Sequence, residues 1–87
     1  NGDYTIIKSE LYNCNDKGIS VGEETKLKII NSNISKAEMG IAFKDGSVSN
    51  IIKDINISSS RTCYEKYIKK NYFNYPKLLN ENRILCQ

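Results

Sequence analysis

The sequence has no histidine, only two arginines and only three cysteines in 87 residues. The lack of histidine excludes imidazole metal ligands and histidine-based acid–base catalysis. With arginine limited to Arg61 and Arg83, little is available for bidentate recognition of phosphates or base edges. The net charge of +3 is carried by lysines dispersed along the chain. We therefore do not expect the protein to bind nucleic acid.

Long apolar runs and metal-binding spacings are also missing. No stretch of about 18 apolar residues is present, so the sequence predicts no membrane-spanning helix. Cys14, Cys63 and Cys86 lack C-x-x-C spacing, which argues against a zinc site and a disulfide framework. They are either free thiols or one disulfide with an unpaired cysteine, and we favour free thiols. We expect no metal and no cofactor.

Two short motifs each occur twice. Gly18-Ile19-Ser20-Val21 returns as Gly40-Ile41-Ala42-Phe43 at a spacing of 22, and Asn33-Ile34-Ser35 returns as Asn56-Ile57-Ser58 at a spacing of 23. A period of this size is typical of one structural unit that is repeated and stacked. The change from 22 to 23 predicts one extra residue in the turn at residues 44–48.

Within each unit the apolar residues alternate, as at Leu27 and Ile29. A period of two indicates strands, because successive side chains point to opposite faces. A helix over Lys26–Ile34 lacks both the apolar spacing and the helix-forming residues. The sequence thus predicts strands of about three to five residues separated by polar turns.

Aligned at a spacing of 23, the coils place apolar residues in columns. These columns join Ile6 with Ile29 and Ile52, and Leu11 with Ile34 and Ile57. In the third coil the register is open by one residue, and Val48 or Ile51 are alternatives for the inward position.

The pattern G-I-[SA]-[VF], followed by a turn and x-I-x-x-x-x-[IL], resembles the repeats of right-handed parallel β-helix proteins of the pectin-lyase-like class. The resemblance covers residues 4–72. It implies an all-β fold, a short right-handed parallel β-helix solenoid of about three coils at residues 4–26, 27–49 and 50–72. An irregular C-terminal segment or cap would follow at residues 73–87. Residues 1–87 would form one module of a larger protein, and the fold analogy favours an extracellular or cell-surface location.

Residues 62–75 combine aromatic and basic side chains. A strand through Tyr64–Ile68 and an amphipathic helix are both compatible with the spacing, and the repeat favours the strand. The candidate binding residues are Tyr64, Lys66, Tyr67, Lys69, Lys70 and Tyr72, because tyrosine rings stack on sugars and lysines bind anions. The alternative, which we favour, is that the tyrosines pack on the core while the lysines are solvated.

Asn33 and Asn56 lie one unit apart and both satisfy N-x-[ST]. They are either glycosylation acceptors or, as we favour, a structural ladder whose amides bond the turn backbone. The carboxylates, which could serve glycoside hydrolysis or a calcium site, are interpreted as turn and surface residues: Asp16, Glu23, Glu24, Asp45 and Asp54.

We expect a structural or binding module whose outward residues, Ser20, Ala42 and Glu65, form a flat surface for a polysaccharide or protein partner. We expect no complete active site within the 87 residues, because no long loops are present to form a cleft. Two alternatives stay open. The chain is a fragment of a polysaccharide lyase or glycoside hydrolase, or it stacks end to end as a homo-oligomer.

Overall fold

A computed structural model describes residues 2–7, 10–12, 16–58 and 60–87. Within them the chain forms eleven β-strands and a single 3-10 turn at Glu81–Arg83. The strands fall into four successive circuits. They are β1 Gly2–Ile7, β2 Glu10–Tyr12 and β3 Lys17–Val21; β4 Thr25–Ile30, β5 Asn33–Ser35 and β6 Met39–Lys44; β7 Val48–Ile51, β8 Ile55–Ser58 and β9 Thr62–Tyr67; and β10 Lys77–Leu79 with β11 Ile84–Cys86.

The strands form three sheets, and the chain visits the sheets in the same order in each circuit. The first sheet has the order β1-β4-β7-β10, the second β2-β5-β8-β11 and the third β3-β6-β9. Every neighbouring pair is parallel. The prediction of an all-β chain is therefore confirmed, and the parallel arrangement is compatible with a β-helix-like fold. No helix in the described ranges is long and apolar enough to cross a membrane.

The core lies between the three sheets, where alternate side chains of each strand meet. In β4 buried and exposed residues alternate, as the period-two pattern predicts. Among the described residues Phe43 is the largest fully buried side chain, and it belongs to one core cluster with isoleucines from all three sheets. Burying one such side chain contributes about 1.5–3 kcal/mol, so these columns supply much of the stability.

The register corrects two sequence predictions. Ile51, rather than Ile52, pairs with Ile29 and is fully buried, whereas Ile52 is 37% exposed. The spacing is still 22 at Leu27 and Ser49, and it becomes 23 only at Asn33 and Asn56. The extra residue therefore lies in the corner at residues 52–54, and the prediction of the turn at residues 44–48 was wrong.

The turn at residues 44–48 has no room for an extra residue because it is already closed tightly. The backbone N–H of Ser47 donates to the carbonyl of Lys44 at 3.0 Å. Asp45 and Gly46 at its centre both have positive φ, 46° and 70°. This is the geometry of a two-residue type I′ turn, in which aspartate and glycine are favoured.

The residues after β9 continue the sheets after an insertion, so the segment at residues 73–87 that was predicted to be irregular contains two paired strands. The spacing between paired strands rises from 23 at Lys44 and Tyr67 to 29 at Val48 and Lys77. Six extra residues therefore lie between β9 and β10, and we call residues 68–76 the inserted loop. The strand predicted near Tyr64 is present as β9, so the helical alternative was wrong.

Cys63 and Cys86 form a disulfide with a Cα–Cα distance of 5.8 Å, so the preference for free thiols was wrong for this pair. Cys14 lies outside the described residues. The register explains the bond. Cys63 stacks on Gly40 and Cys86 on Ile57, and a Cβ built on Gly40 would lie 2.6 Å from Ile57 Cγ2. Closing a chain segment of 23 residues in this way stabilises the fold by about 3 kcal/mol in the chain-entropy model.

Candidate functional site

The six residues predicted as a binding cluster do not form one cluster. Tyr64, Lys66 and Tyr67 belong to β9, whereas Lys69, Lys70 and Tyr72 belong to the inserted loop. The three residues of β9 are half-buried, whereas the three of the inserted loop are exposed.

Tyr64 and Lys66 continue the inward-facing columns of the third sheet, because they pair with Ile41 and Phe43. Their polar ends converge on Glu81. The Tyr64 hydroxyl donates to Glu81 Oε2 at 2.5 Å, and Lys66 Nζ donates to Glu81 Oε1 at 3.0 Å. The Tyr64 ring also packs edge-on against Phe43, with centroids 6.1 Å apart. Glu81 of the fourth circuit is thereby bonded to two side chains of β9, one of which, Tyr64, packs against the core.

The protonation states of this cluster follow from its hydrogen bonds. The bond to Glu81, burial and the negative charge of Glu81 together raise the pKa of Tyr64 to about 12. The bonds from Tyr64 and Lys66 lower the pKa of Glu81, although partial burial opposes them. At neutral pH the phenol is therefore neutral and the carboxylate charged, so the phenol donates to the carboxylate.

The start of the inserted loop is hydrogen-bonded to a buried carboxylate. Asp45 is only 2% exposed, and its Oδ1 accepts the backbone N–H groups of Lys69 at 2.6 Å and Lys70 at 3.0 Å. Asp45 is itself fixed by its own backbone, since its N–H donates to Tyr67 O at 3.3 Å and its carbonyl accepts from Glu24 at 2.8 Å. One side chain of the second circuit thereby positions a loop of the third.

Burial would raise the pKa of Asp45. Two effects outweigh burial and hold the pKa of Asp45 below its ordinary value. They are the hydrogen bonds from the backbone N–H groups of Lys70 and Lys69, and the positive charges of Lys44 and Lys70. The Lys70 ammonium makes a second tie by donating to Glu23 Oε1 at 3.1 Å, which raises the pKa of Lys70. Both groups are charged at neutral pH.

The other end of the loop is fixed as well. The Tyr75 hydroxyl donates to the Lys66 carbonyl at 2.9 Å, and Pro76 is buried. Lys77 N–H then donates to Ser47 O at 2.9 Å, where β10 begins. Inside the loop, Phe73 N–H donates to Lys70 O at 3.1 Å and closes a turn. The loop is therefore tied to the rest of the protein at its start and its end, and it is closed by a turn within.

Between these ties the loop exposes aromatic, amide and ammonium groups. Tyr72 is 74% exposed, and its ring centroid lies 4.7 Å from that of half-buried Phe73. Asn71 and Asn74 are exposed, and in the described structure neither side chain has a protein hydrogen-bond partner. Lys69 is exposed and, among the described ion pairs, belongs to none. Residues 68–76 contain no carboxylate.

Asn33 and Asn56 lie in one row across the second sheet, together with Glu10. Asn56 Nδ2 donates to Asn33 Oδ1 at 3.0 Å, and Asn33 Nδ2 donates to Glu10 Oε1 at 3.5 Å. The two amides therefore form a ladder from circuit to circuit, but they bond to side chains and not to the turn backbone as predicted.

The row proposed as a flat outward surface is present, but it is interrupted. Ser20, Ala42 and Glu65 are neighbours across the third sheet. Ser20 and Glu65 are exposed, whereas Ala42 has no exposed surface. Ala42 therefore faces outward, on the side opposite to Ile41 and Phe43, but it offers no exposed surface, so the prediction that it is available to a partner was wrong.

The remaining turn carboxylates are dispersed. Asp16 pairs with Lys17 at 3.1 Å, and Asp54 pairs with Arg83 at 3.4 Å. Within the described ranges, no three histidine, cysteine or carboxylate side chains are grouped so that they could hold a metal ion.

No protein-family model, curated protein or solved structure matches this chain. The site is therefore defined by its own geometry: a loop anchored on Asp45 that presents Tyr72, Lys69 and two free amides. This arrangement can stack on a planar or ring-shaped ligand and form hydrogen bonds around its edge.

Proposed function

We propose that the chain is a binding module built as a short right-handed parallel β-helix of the pectin-lyase-like kind, and that it binds carbohydrate through the inserted loop. The cyclic order of the three parallel sheets supports the β-helix. The observation that carries the binding role is the inserted loop itself, which departs from the circuit length and exposes Tyr72.

The chemistry of the loop suits a sugar chain. The Tyr72 ring offers an apolar face to the C–H groups of a pyranose ring. The amides of Asn71 and Asn74 carry donors and acceptors that complement sugar hydroxyls. The Lys69 ammonium adds a contact for a carboxylate or sulfate on the same chain.

The anchoring of the loop supports binding for an energetic reason. A loop that is already ordered loses little conformational entropy when a ligand binds. Asp45 fixes the start of the loop, and Pro76 with β10 fixes its end. The exposed rings are thus presented on a stable backbone, as binding loops on rigid scaffolds generally are.

A panel of soluble neutral and acidic oligosaccharides, titrated by calorimetry or NMR, tests the proposal. We expect at least one to bind, and Tyr72→Ala to weaken that binding about tenfold, equivalent to about 1.4 kcal/mol. Tyr4→Ala is the matched control, because Tyr4 is 59% exposed in β1. Failure of every oligosaccharide to bind, or equal losses in the two variants, would refute a sugar site at Tyr72.

The same samples test the two other predictions. Release of reducing or unsaturated ends from polysaccharides would indicate a lyase or hydrolase fragment. Sedimentation velocity at high protein concentration tests end-to-end assembly, for which a clean monomer is the contrary result.

A further inference from the structure

The disulfide occupies a position that recurs in every circuit. In the lower circuits a glycine faces an isoleucine of the next circuit: Gly18 faces Ile34, and Gly40 faces Ile57, with isoleucine Cγ2 atoms 2.7 and 2.6 Å from a Cβ built on the glycine. The equivalent pair one circuit later is Cys63 and Cys86. A packing contact has thus been replaced by a covalent bond at the fourth circuit.

The bond encloses the whole candidate site. Residues 64–85 lie between the two cysteines, and they include the inserted loop, β10 and Glu81. The end of the loop is held by the Tyr75 hydroxyl on Lys66 O, by buried Pro76 and by the start of β10. Because β10 belongs to the fourth circuit, the order of the loop end depends in part on that circuit staying in place.

Apart from the disulfide, the fourth circuit is weakly held. β10 and β11 have three residues each, and each pairs with a neighbour on one side only in the described sheets. The side-chain ties from Asn80 to Asn50 and from Arg83 to Asp54 are both exposed. Exposed pairs of this kind contribute little to stability. The fourth circuit is also held by buried Ile84, by Leu78, which packs against the core, by the Glu81 bonds, and by backbone hydrogen bonds such as that from Lys77 N–H to Ser47 O.

We propose that the Cys63–Cys86 disulfide is a redox-sensitive latch on the inserted loop, so that reduction loosens the loop and weakens binding there. The binding half of this statement rests on the proposed function. Cys86 is exposed, so a dithiol reductant can attack its sulfur. The first thiolate forms a mixed disulfide with Cys86 and releases Cys63 as a thiolate. The second thiol then displaces Cys86, leaving two protein thiols and one oxidised dithiol.

Amide hydrogen exchange of the protein, with and without dithiothreitol, tests the latch directly. The background variant Cys14→Ala keeps the third cysteine from exchanging with the other two. On reduction we expect exchange of the Gln87 amide, which is bonded to Ile57 O, to rise about a hundredfold. Exchange of the Lys69 and Lys70 amides, which are bonded to Asp45, should rise about tenfold. The Ile52 amide, bonded to Ile29 O, should be unchanged.

Two further samples keep the test decisive. In Cys63→Ala/Cys86→Ala the loop amides should exchange fast, and dithiothreitol should have no further effect. Oligosaccharide affinity should fall about tenfold in the reduced protein.

Unchanged exchange at Lys69 and Lys70 on reduction overturns the latch. Faster exchange with unchanged affinity for a bound oligosaccharide overturns its coupling to binding. If no oligosaccharide binds the oxidised protein, the proposed function fails, and the exchange of the two amides still decides whether the disulfide holds the loop.

Discussion

Gly40 lies at a point in β6 where a methyl group does not fit. A Cβ built there overlaps the carbonyl oxygen of Cys63 and lies 2.6 Å from Ile57 Cγ2. Neither neighbour can move freely, because Cys63 belongs to β9 and to the disulfide, and Ile57 is 1% exposed. We therefore expect Gly40→Ala to push β6 and β9 apart.

The expected cost has two contributions. Overpacking a well-packed interior costs about 1–3 kcal/mol. Each backbone hydrogen bond lost between the displaced strands adds about 1 kcal/mol. A loss of roughly 3–5 kcal/mol follows, which for a domain of this size lowers the Tm by at least about 12 °C.

Gly22 provides the matched control. A Cβ built on Gly22 has no neighbour within 4 Å, and its backbone is not in the left-handed region. Gly22→Ala should therefore be neutral or stabilise the protein by about 0.4–1 kcal/mol through the unfolded chain. Urea and thermal unfolding of oxidised protein, followed by circular dichroism, measures both. A Gly40→Ala variant within about 1 kcal/mol of the wild type would show that β6 and β9 are not packed this closely.

Three other expectations concern buried and half-buried polar groups. Ser49 Oγ is buried and unpartnered, so Ser49→Ala should stabilise the protein by about 1 kcal/mol in urea unfolding, with exposed Ser20→Ala as a neutral control. Folding lowers the pKa values of Asp45 and Glu81, so the stabilisation from their charged forms is present above about pH 4 and lost as the pH falls further. In Asp45→Ala the free energy of unfolding should therefore decrease less between about pH 4 and lower pH than in the wild type. The pKa of Tyr64 is raised to about 12, so its stabilisation is complete below about pH 10 and lost towards pH 12; in an ultraviolet absorbance titration Tyr64→Phe should lack the step near pH 12.

The predictable parts of the fold are those that depend only on the local pattern of apolar and polar residues. Alternation at Leu27 and Ile29 predicted a strand with one buried face, and β4 has that pattern. The column of Leu11, Ile34 and Ile57 was correct because both spacings equal the period. The position of Ile52 was missed by one residue, since a spacing of 22 or 23 leaves two adjacent isoleucines equally suitable.

The disulfide and the loop anchor were less predictable because they depend on chain length elsewhere. Cys63 and Cys86 are 23 residues apart, which suggests stacking in one column, yet they belong to neighbouring columns. The six-residue insertion produces that spacing by coincidence. Asp45 was recognised only as a turn residue, because its hydrogen-bond donors are backbone N–H groups, which leave no mark in the sequence. Glu81 was not recognised at all, since its role depends on where the fourth circuit passes.

The order of strands in the sheets also determines how the chain can fold. Every pair of strand partners is separated in sequence by a full circuit, from Val21 with Phe43 to Val48 with Lys77, and no hairpin joins neighbouring strands in the described sheets. No strand can therefore pair until a full circuit of chain has closed. The chain loses the entropy of closing that loop before the first hydrogen bond between strands forms. Folding rates fall as contacts become more distant in sequence, so folding should take milliseconds to seconds. Pairing of β4 with β7 and of β6 with β9 joins the circuits that bury the most side chains among the described residues, and we expect the outer circuits to assemble on these pairings.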